Sequence, residues 1–131
     1  MKIMQLLTPT TEVRWISVTD TVRDAFDHME TYELGAAPIL DWSGRYLGTV
    51  TGADLRRHVA STVDRAAALA TPLSAVDRRS HNVAVTGDRD VSSVVDQALG
   101  HPFVPVVDDT GCLLGIVDRQ RILDARLPSA A

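Results

Sequence analysis

Residues 48–55 read Gly-Thr-Val-Thr-Gly-Ala-Asp-Leu, and this stretch decides the fold of the 131-residue chain. An apolar, β-branched run ends here and a helix is predicted to begin, with Thr51 as its N-cap because the hydroxyl can accept a hydrogen bond from a first-turn amide. Asp54 falls in that first turn, where a carboxylate suits the positive end of the helix dipole. The hydroxyl and the carboxylate together could hold the vicinal hydroxyls of a ribose. The alternative is an ordinary N-cap with an acidic first turn, and this stretch alone favours it.

The same pattern returns 67 positions later, at residues 115–122, which read Gly-Ile-Val-Asp-Arg-Gln-Arg-Ile. Identical residues with this spacing include the pairs Val18/Val85, Pro38/Pro105, Asp41/Asp108, Gly44/Gly111, Gly48/Gly115 and Val50/Val117. An apolar stripe within residues 22–29 matches one within 91–98, displaced by two further positions. Length therefore changes in loops while helical spacing is kept, as expected for two copies of one unit.

Each copy is predicted to run strand, helix, strand, strand, helix. The chain is thus expected to be an α/β (α+β) protein with repeat 1 at residues 1–60, a connecting segment at 61–71 and repeat 2 at 72–131. The first long helix should begin after Thr21 and end near Gly35, because glycine commonly ends a helix. Neither copy is large enough for a good core, so the two are expected to pack about a pseudo-twofold axis. Pairing with another chain is the alternative.

Composition excludes several classes of function. A net charge of −4 argues against nucleic acid or an acidic membrane as a partner. The single cysteine, Cys112, rules out an internal disulfide and suits a reducing compartment. With no signal-peptide pattern and no apolar run of membrane-spanning length, we expect a soluble cytoplasmic protein.

No catalytic or metal-binding pattern stands out. The four histidines are scattered without metal-ligand spacing, and no Ser-His-Asp or Cys-His grouping is legible. The chain is therefore predicted to bind no metal and not to be an enzyme. Arg56, Arg57 and His58 could neutralise phosphates, although a solvated charged helix face is the preferred interpretation.

Several motifs, taken in order, resemble a known family. They are Thr8-Pro9, the strand with Pro38, the hairpin at residues 41–44 and the Gly-x-x-Thr-x-x-Asp close at 48–54, with partial counterparts in the second half. This arrangement resembles a tandem cystathionine-β-synthase (CBS) domain pair, or Bateman module, over about residues 2–126. The resemblance implies two CBS repeats of β-α-β-β-α form.

The resemblance also implies a regulatory module that senses an adenosyl-type ligand in clefts between the repeats. Ligands of the family include AMP, ADP, ATP, adenosylmethionine, NAD and cyclic dinucleotides, and no covalent cofactor is implied. Carried over residue by residue, the first cleft would contain Thr51, Asp54, Val85, Thr86, Arg89, His101, Pro102 and Phe103. The second would contain Val18, Thr19, Asp20, Gly35, Ala36, Ala37, Asp118 and Arg121. In the family pattern the aspartate holds the ribose and the threonine helps to place ribose or phosphate.

The second motif departs from the family pattern, because Asp118 and Arg121 stand where Thr51 and Asp54 stand in the first. A ribose diol needs an acceptor, and an arginine supplies only donors. The Asp54 cleft is therefore the preferred site. The second cleft holds no nucleotide, or Arg121 serves phosphates or another anion, or Arg121 is a surface residue.

The resemblance further implies a disc-like homodimer. Its interface would use the helices that end the repeats, around residues 55–59 and 122–127, and an unidentified effector protein would respond to it. The alternative function is a ligand-free interaction scaffold of the same fold.

Overall fold

The structure is a computed structural model that describes residues 1–79 and 81–126. The strands are β1 (Thr8–Pro9), β2 (Ile16–Ser17), β3 (Ala36–Leu40), β4 (Tyr46–Thr51), β5 (Val85–Thr86), β6 (Phe103–Val107) and β7 (Leu113–Asp118). The helices are α1 (Val22–Thr31), α2 (Gly52–Ala60), α3 (Arg65–Leu69), α4 (Val95–Gly100) and α5 (Arg119–Arg126). Short 3₁₀ turns lie at Ile3–Leu6, Thr10–Glu12, Leu73–Ala75 and Val91–Val94. The mixed α/β fold predicted from the sequence is confirmed.

The chain forms two compact units. One, called here the Asp54 unit, comprises Arg14–His81 and contains a three-stranded sheet in the order β2-β3-β4. The other, called the Arg121 unit, comprises Met1–Val13 and the chain from Asn82 onward, with a four-stranded sheet in the order β1-β7-β6-β5. Each unit has its own buried apolar cluster.

The internal duplication is visible in the strand registers. Ala36 pairs with Thr51 in one hairpin, and Phe103 pairs with Asp118, both 67 positions later, in the other. Each hairpin also has a register irregularity at the same place, before the last residue pair. Both turns place a glycine at positive φ, +87° and +86°, which a residue without a Cβ adopts easily. The repeated local sequence therefore folds into the same local structure twice.

The opening turns of the two repeats are exchanged between the cores. Ile3 is fully buried among second-repeat residues in the Arg121 unit. Leu73 and Val76, which open the second repeat, are buried in the core of the Asp54 unit. Sequence repeats and packing units therefore do not coincide.

Helix α1 ends earlier than the sequence predicts. It stops at Thr31, and Glu33 rather than Gly35 takes the left-handed conformation, with φ +54°. The amide of Leu34 donates to the Met29 carbonyl at 2.8 Å, and the amide of Glu33 donates to the Glu30 carbonyl at 3.2 Å. This is the Schellman pattern of helix ends, in which glycine is preferred but not required. The prediction of an end near Gly35 is wrong.

Two residues expected at a dimer interface lie in the interior instead. Leu55 and Ile122 are both 0% exposed and belong to the apolar clusters of their own units. Neither side chain is accessible to a second chain, so an interface on these helices would use their other positions, and the interface stays a prediction. Leu127 lies outside the described residues. Within the described ranges, no helix is both long and apolar enough to cross a membrane.

Candidate functional site

The junction between β4 and α2 is built by two reciprocal hydrogen bonds. The Asp54 amide donates to the Thr51 hydroxyl at 3.1 Å, and the Thr51 amide donates to Oδ2 of Asp54 at 3.0 Å. This is a capping box, which satisfies two amides that a helix start would otherwise leave unpaired. The predicted N-cap is confirmed.

Capping alone does not account for the position of Asp54. Thr21 and Asp24 form the same box at the start of α1, yet Asp24 is exposed. Asp54 is only 2% exposed, and its Oδ1 accepts two further hydrogen bonds, from Nη2 of Arg57 at 2.6 Å and from the amide of Arg79 at 3.2 Å. The buried carboxylate therefore joins the start of α2 to its own first turn and to a segment 25 residues away.

These contacts keep Asp54 ionised. Burial by itself raises the pKa of this carboxyl, but the hydrogen bonds from Thr51, from the Arg57 guanidinium and from the Arg79 amide outweigh it, and the net pKa is lowered. An ionised carboxylate has about four lone-pair directions. Three are used here, which leaves one on Oδ2.

At the equivalent junction in the Arg121 unit, the side chain in the position of Asp54 is a hydrogen-bond donor instead of an acceptor. Asp118 and Arg121 are both exposed. Nη1 of Arg121 donates to the carbonyl of Leu6 at 3.0 Å. The arginine thus attaches α5 to the opening turn, and its role in ligand binding stays a prediction.

Within each unit, the junction lies beside the start of the first hairpin strand. The Gly52 amide donates to the Gly35 carbonyl at 3.0 Å, which places Gly35 and Ala36 next to Thr51. The Arg119 amide likewise donates to the Pro102 carbonyl at 3.0 Å, beside Asp118. The assignment of each junction to strand residues of the other repeat stays a prediction.

Other predicted site residues are not brought together. Val85 and Thr86 pair with Val106 and Val107, at the far end of β6 from Phe103. Four residues of strand separate the two places, roughly 13 Å. Val18 likewise lies beyond the end of β3, donating to the Leu40 carbonyl at 2.9 Å, and Thr19 and Asp20 follow it, whereas Gly35, Ala36 and Ala37 lie at its start. The two groups lie at opposite ends of a strand in each unit, and their assignment to one ligand site stays a prediction.

The remaining predicted residues make local contacts. Nε of Arg89 donates to the Ser93 hydroxyl at 3.1 Å. His101 is half-buried and Pro102 is exposed. Phe103 is 5% exposed, so its ring belongs to the interior and not to an open wall.

Sequence reasoning missed Asn82. It is 4% exposed, and its side-chain amide donates to the Phe103 carbonyl at 2.9 Å. Its carbonyl oxygen accepts from Nε2 of Gln97 at 3.0 Å. Asn82 therefore contacts Phe103, whereas Thr86 pairs with Val107 at the other end of β6. No pattern in the sequence around Asn82 indicates this contact.

Comparison with protein-family models identifies the family of the chain. A family model described as "CBS domain" matches residues 3–61 and 75–128. The chain belongs to the CBS-domain family. The resemblance seen in the sequence is thereby confirmed.

Solved structures of CBS-domain proteins share the fold. The CBS domains of a transcriptional regulator from Streptococcus pneumoniae are 23% identical, with a TM-score of 0.74 over 95% of this chain and 98% of that one. CBSX2, from Arabidopsis thaliana, in complex with AMP is 18% identical, with a TM-score of 0.77 over 95% of each chain. CbpB in complex with c-di-AMP is 17% identical, with a TM-score of 0.82 over 96% of this chain and 84% of that one. No protein of curated function matches significantly.

Proposed function

We propose that this CBS pair is a regulatory module that binds an adenine nucleotide or a related adenosyl ligand, with Thr51 and Asp54 as the ribose-binding residues. The observation that carries the proposal is the ionised Asp54 carboxylate beside a threonine hydroxyl at a helix start. Two proteins of the same fold bind AMP and c-di-AMP, which supports an adenosyl ligand here. ADP, ATP, adenosylmethionine and NAD are the other candidates.

The hydrogen bonds of Asp54 define how a ribose would bind. Two ribose hydroxyls need two acceptor directions, and one is left on Oδ2. The second becomes available when the Arg79 amide withdraws from Oδ1, because that bond is the longest of the four made at this carboxylate and hydroxyl. Ligand binding would therefore change the segment that leads into Asn82. A ligand shifts such an equilibrium only through its different affinity for the two states.

We also propose that the module is non-catalytic and homodimeric. The accessible face of α1 and α2 carries two open cavities, of about 220 and 540 Å³, that share Phe26 and Arg56. Apolar Met29 and Val59 lie along this face with charged Glu30 and Arg65. Glutamate and arginine on one face allow a second copy to pair with it through opposite charges. An effector protein would bind the dimer and respond to its state.

Thermal unfolding tests the ligand proposal. Wild type and Asp54→Asn are heated with adenine and guanine nucleotides, cyclic dinucleotides, NAD and adenosylmethionine. A ligand at a hundred times its Kd should add about 2.7 kcal/mol, a shift of several degrees. The proposal predicts a shift by an adenine ligand in wild type that Asp54→Asn loses. A guanine-only response, or equal responses of both proteins, would contradict it.

A ligand-free scaffold is the second candidate, and one observation favours it. Three of the acceptor directions of Asp54 are already used within the protein, and Arg121 is bonded to Leu6. If no compound shifts the unfolding temperature of wild type, the scaffold becomes the better account.

A further inference from the structure

A small basic cavity lies beside α2, within the Asp54 unit. It has a volume of about 220 Å³ and is lined by Arg57, His58, Ser61, Asp77 and Arg79. Arg57, His58 and Ser61 follow Asp54 by three, four and seven positions, so all four lie on one face of the helix. Asp77 and Arg79, which follow the 3₁₀ turn at Leu73–Ala75, supply the opposite wall.

The lining of the cavity contains two arginines and one carboxylate. Nε2 of His58 is buried and has no hydrogen-bond partner among the described residues. Arg57 uses only Nη2 on Asp54, and no carboxylate in the described ranges forms an ion pair with the Arg79 guanidinium.

Asp54 positions both arginines. Its Oδ1 accepts from the Arg57 side chain and from the Arg79 backbone, which brings one cationic residue to each wall of the cavity. Because Arg79 is held by its amide, its guanidinium is not consumed by the contact. A planar guanidinium with free N–H groups is well suited to bind phosphate oxygens.

Asp77 is the acidic member of the lining, and it is exposed. Its charge opposes an anion, but water screens an exposed charge more than a buried one. The site should therefore bind an anion less tightly with Asp77 than without it.

We propose that this cavity is a binding site for a phosphate group, held by the guanidinium groups of Arg57 and Arg79. The phosphate comes from inorganic pyrophosphate or from the phosphates of a nucleotide. The site does not depend on recognition of a ribose, because pyrophosphate alone has the chemistry that it needs.

Calorimetric titration of sodium pyrophosphate in phosphate-free buffer tests the site. Arg79→Ala keeps the backbone amide that Asp54 accepts, so the fold is preserved, and binding should weaken about tenfold or more. Arg56→Ala is the matched control, because Arg56 is the neighbouring arginine on α2 but lines the other two cavities. It should change the Kd by less than about twofold. Asp77→Asn should tighten binding.

Two results would overturn the site: no binding of pyrophosphate by wild type, or equal weakening by Arg79→Ala and Arg56→Ala. Adenosine, which lacks phosphate, tests ribose recognition separately from this proposal. Pyrophosphate can bind when adenosine does not, and adenosine can bind when pyrophosphate does not. ATP identifies the source. If ATP displaces pyrophosphate and Arg79→Ala weakens ATP, the nucleotide supplies the phosphate. If pyrophosphate binds and ATP does not displace it, the ligand is the free anion.

Discussion

At the first strand-to-helix junction a buried carboxylate accepts hydrogen bonds, whereas at the equivalent position 67 residues later an exposed guanidinium donates one. Asp54 accepts from the Arg79 amide, and Arg121 donates to the Leu6 carbonyl. In both cases the third residue of the helix holds a segment that leads into or opens a repeat. The donor and the acceptor are exchanged, but each contact attaches the start of a helix to another segment of the same unit.

The difference separates two roles that one aspartate combines. Either side chain can fasten a helix to the backbone, because a backbone offers both amides and carbonyls. Only the carboxylate can accept from ribose hydroxyls. The second junction therefore has the structural contact but no acceptor side chain at the position of Asp54. Four substitutions or conditions test this separation.

Asp54→Ala should have the largest effect. It removes half of the capping box and leaves Arg57 without its partner. We expect a loss of about 2 to 3 kcal/mol of unfolding free energy, at the low end for breaking a buried ion pair because Arg57 stays partly exposed. Urea denaturation measures it. Asp24→Ala, which removes only a capping box, is the control and should cost about 1 kcal/mol. Equal losses would show that the burial of Asp54 adds nothing.

Thr51→Ala should come next. It removes the hydroxyl that accepts from the Asp54 amide, and N-cap threonines contribute about 1 kcal/mol. Asp118→Ala, at the equivalent position of the exposed junction, should change the unfolding free energy by less than about 0.5 kcal/mol. If Asp118→Ala lost more unfolding free energy than Thr51→Ala in the same urea series, the proposed difference between the two junctions would be contradicted.

Arg121→Ala should cost about 0.5 to 1 kcal/mol, since it removes one exposed hydrogen bond to the Leu6 carbonyl. Hydrogen exchange at the opening turn should rise in this variant, because α5 no longer holds it. Unchanged exchange there would show that the contact does not attach the segment.

The pH dependence of Asp54 should give the smallest signal. Its pKa is lowered in the folded protein, so its contribution to stability is complete above the ordinary carboxyl pKa near 3.9 and is lost as pH falls through the lowered value. The difference in unfolding free energy between wild type and Asp54→Asn should be constant above about pH 5 and should shrink as the pH falls from about 5 to about 2. A difference that stays constant over this range would contradict an ionised Asp54.

The repeated β-α-β-β-α order could be predicted because it depends on local features. Thr51 caps a helix and Gly44 forms a turn through residues a few positions away, and the apolar stripe of α1 follows helical spacing. The contact between Asp54 and Arg79 could not be predicted in the same way, because Arg79 lies 25 residues further along the chain and reaches Asp54 only through the tertiary fold. The separation of Thr86 from Phe103 depends on a parallel strand register, which sequence periodicity leaves open.

The most direct test of the account is calorimetric binding of AMP to wild type, Asp54→Asn and Arg121→Gln, each first shown to be folded by circular dichroism. The account predicts binding by wild type, a loss of about tenfold or more in Asp54→Asn, and an unchanged Kd in Arg121→Gln. Retained binding in Asp54→Asn with a loss in Arg121→Gln would contradict it, and would assign ligand recognition to the second junction.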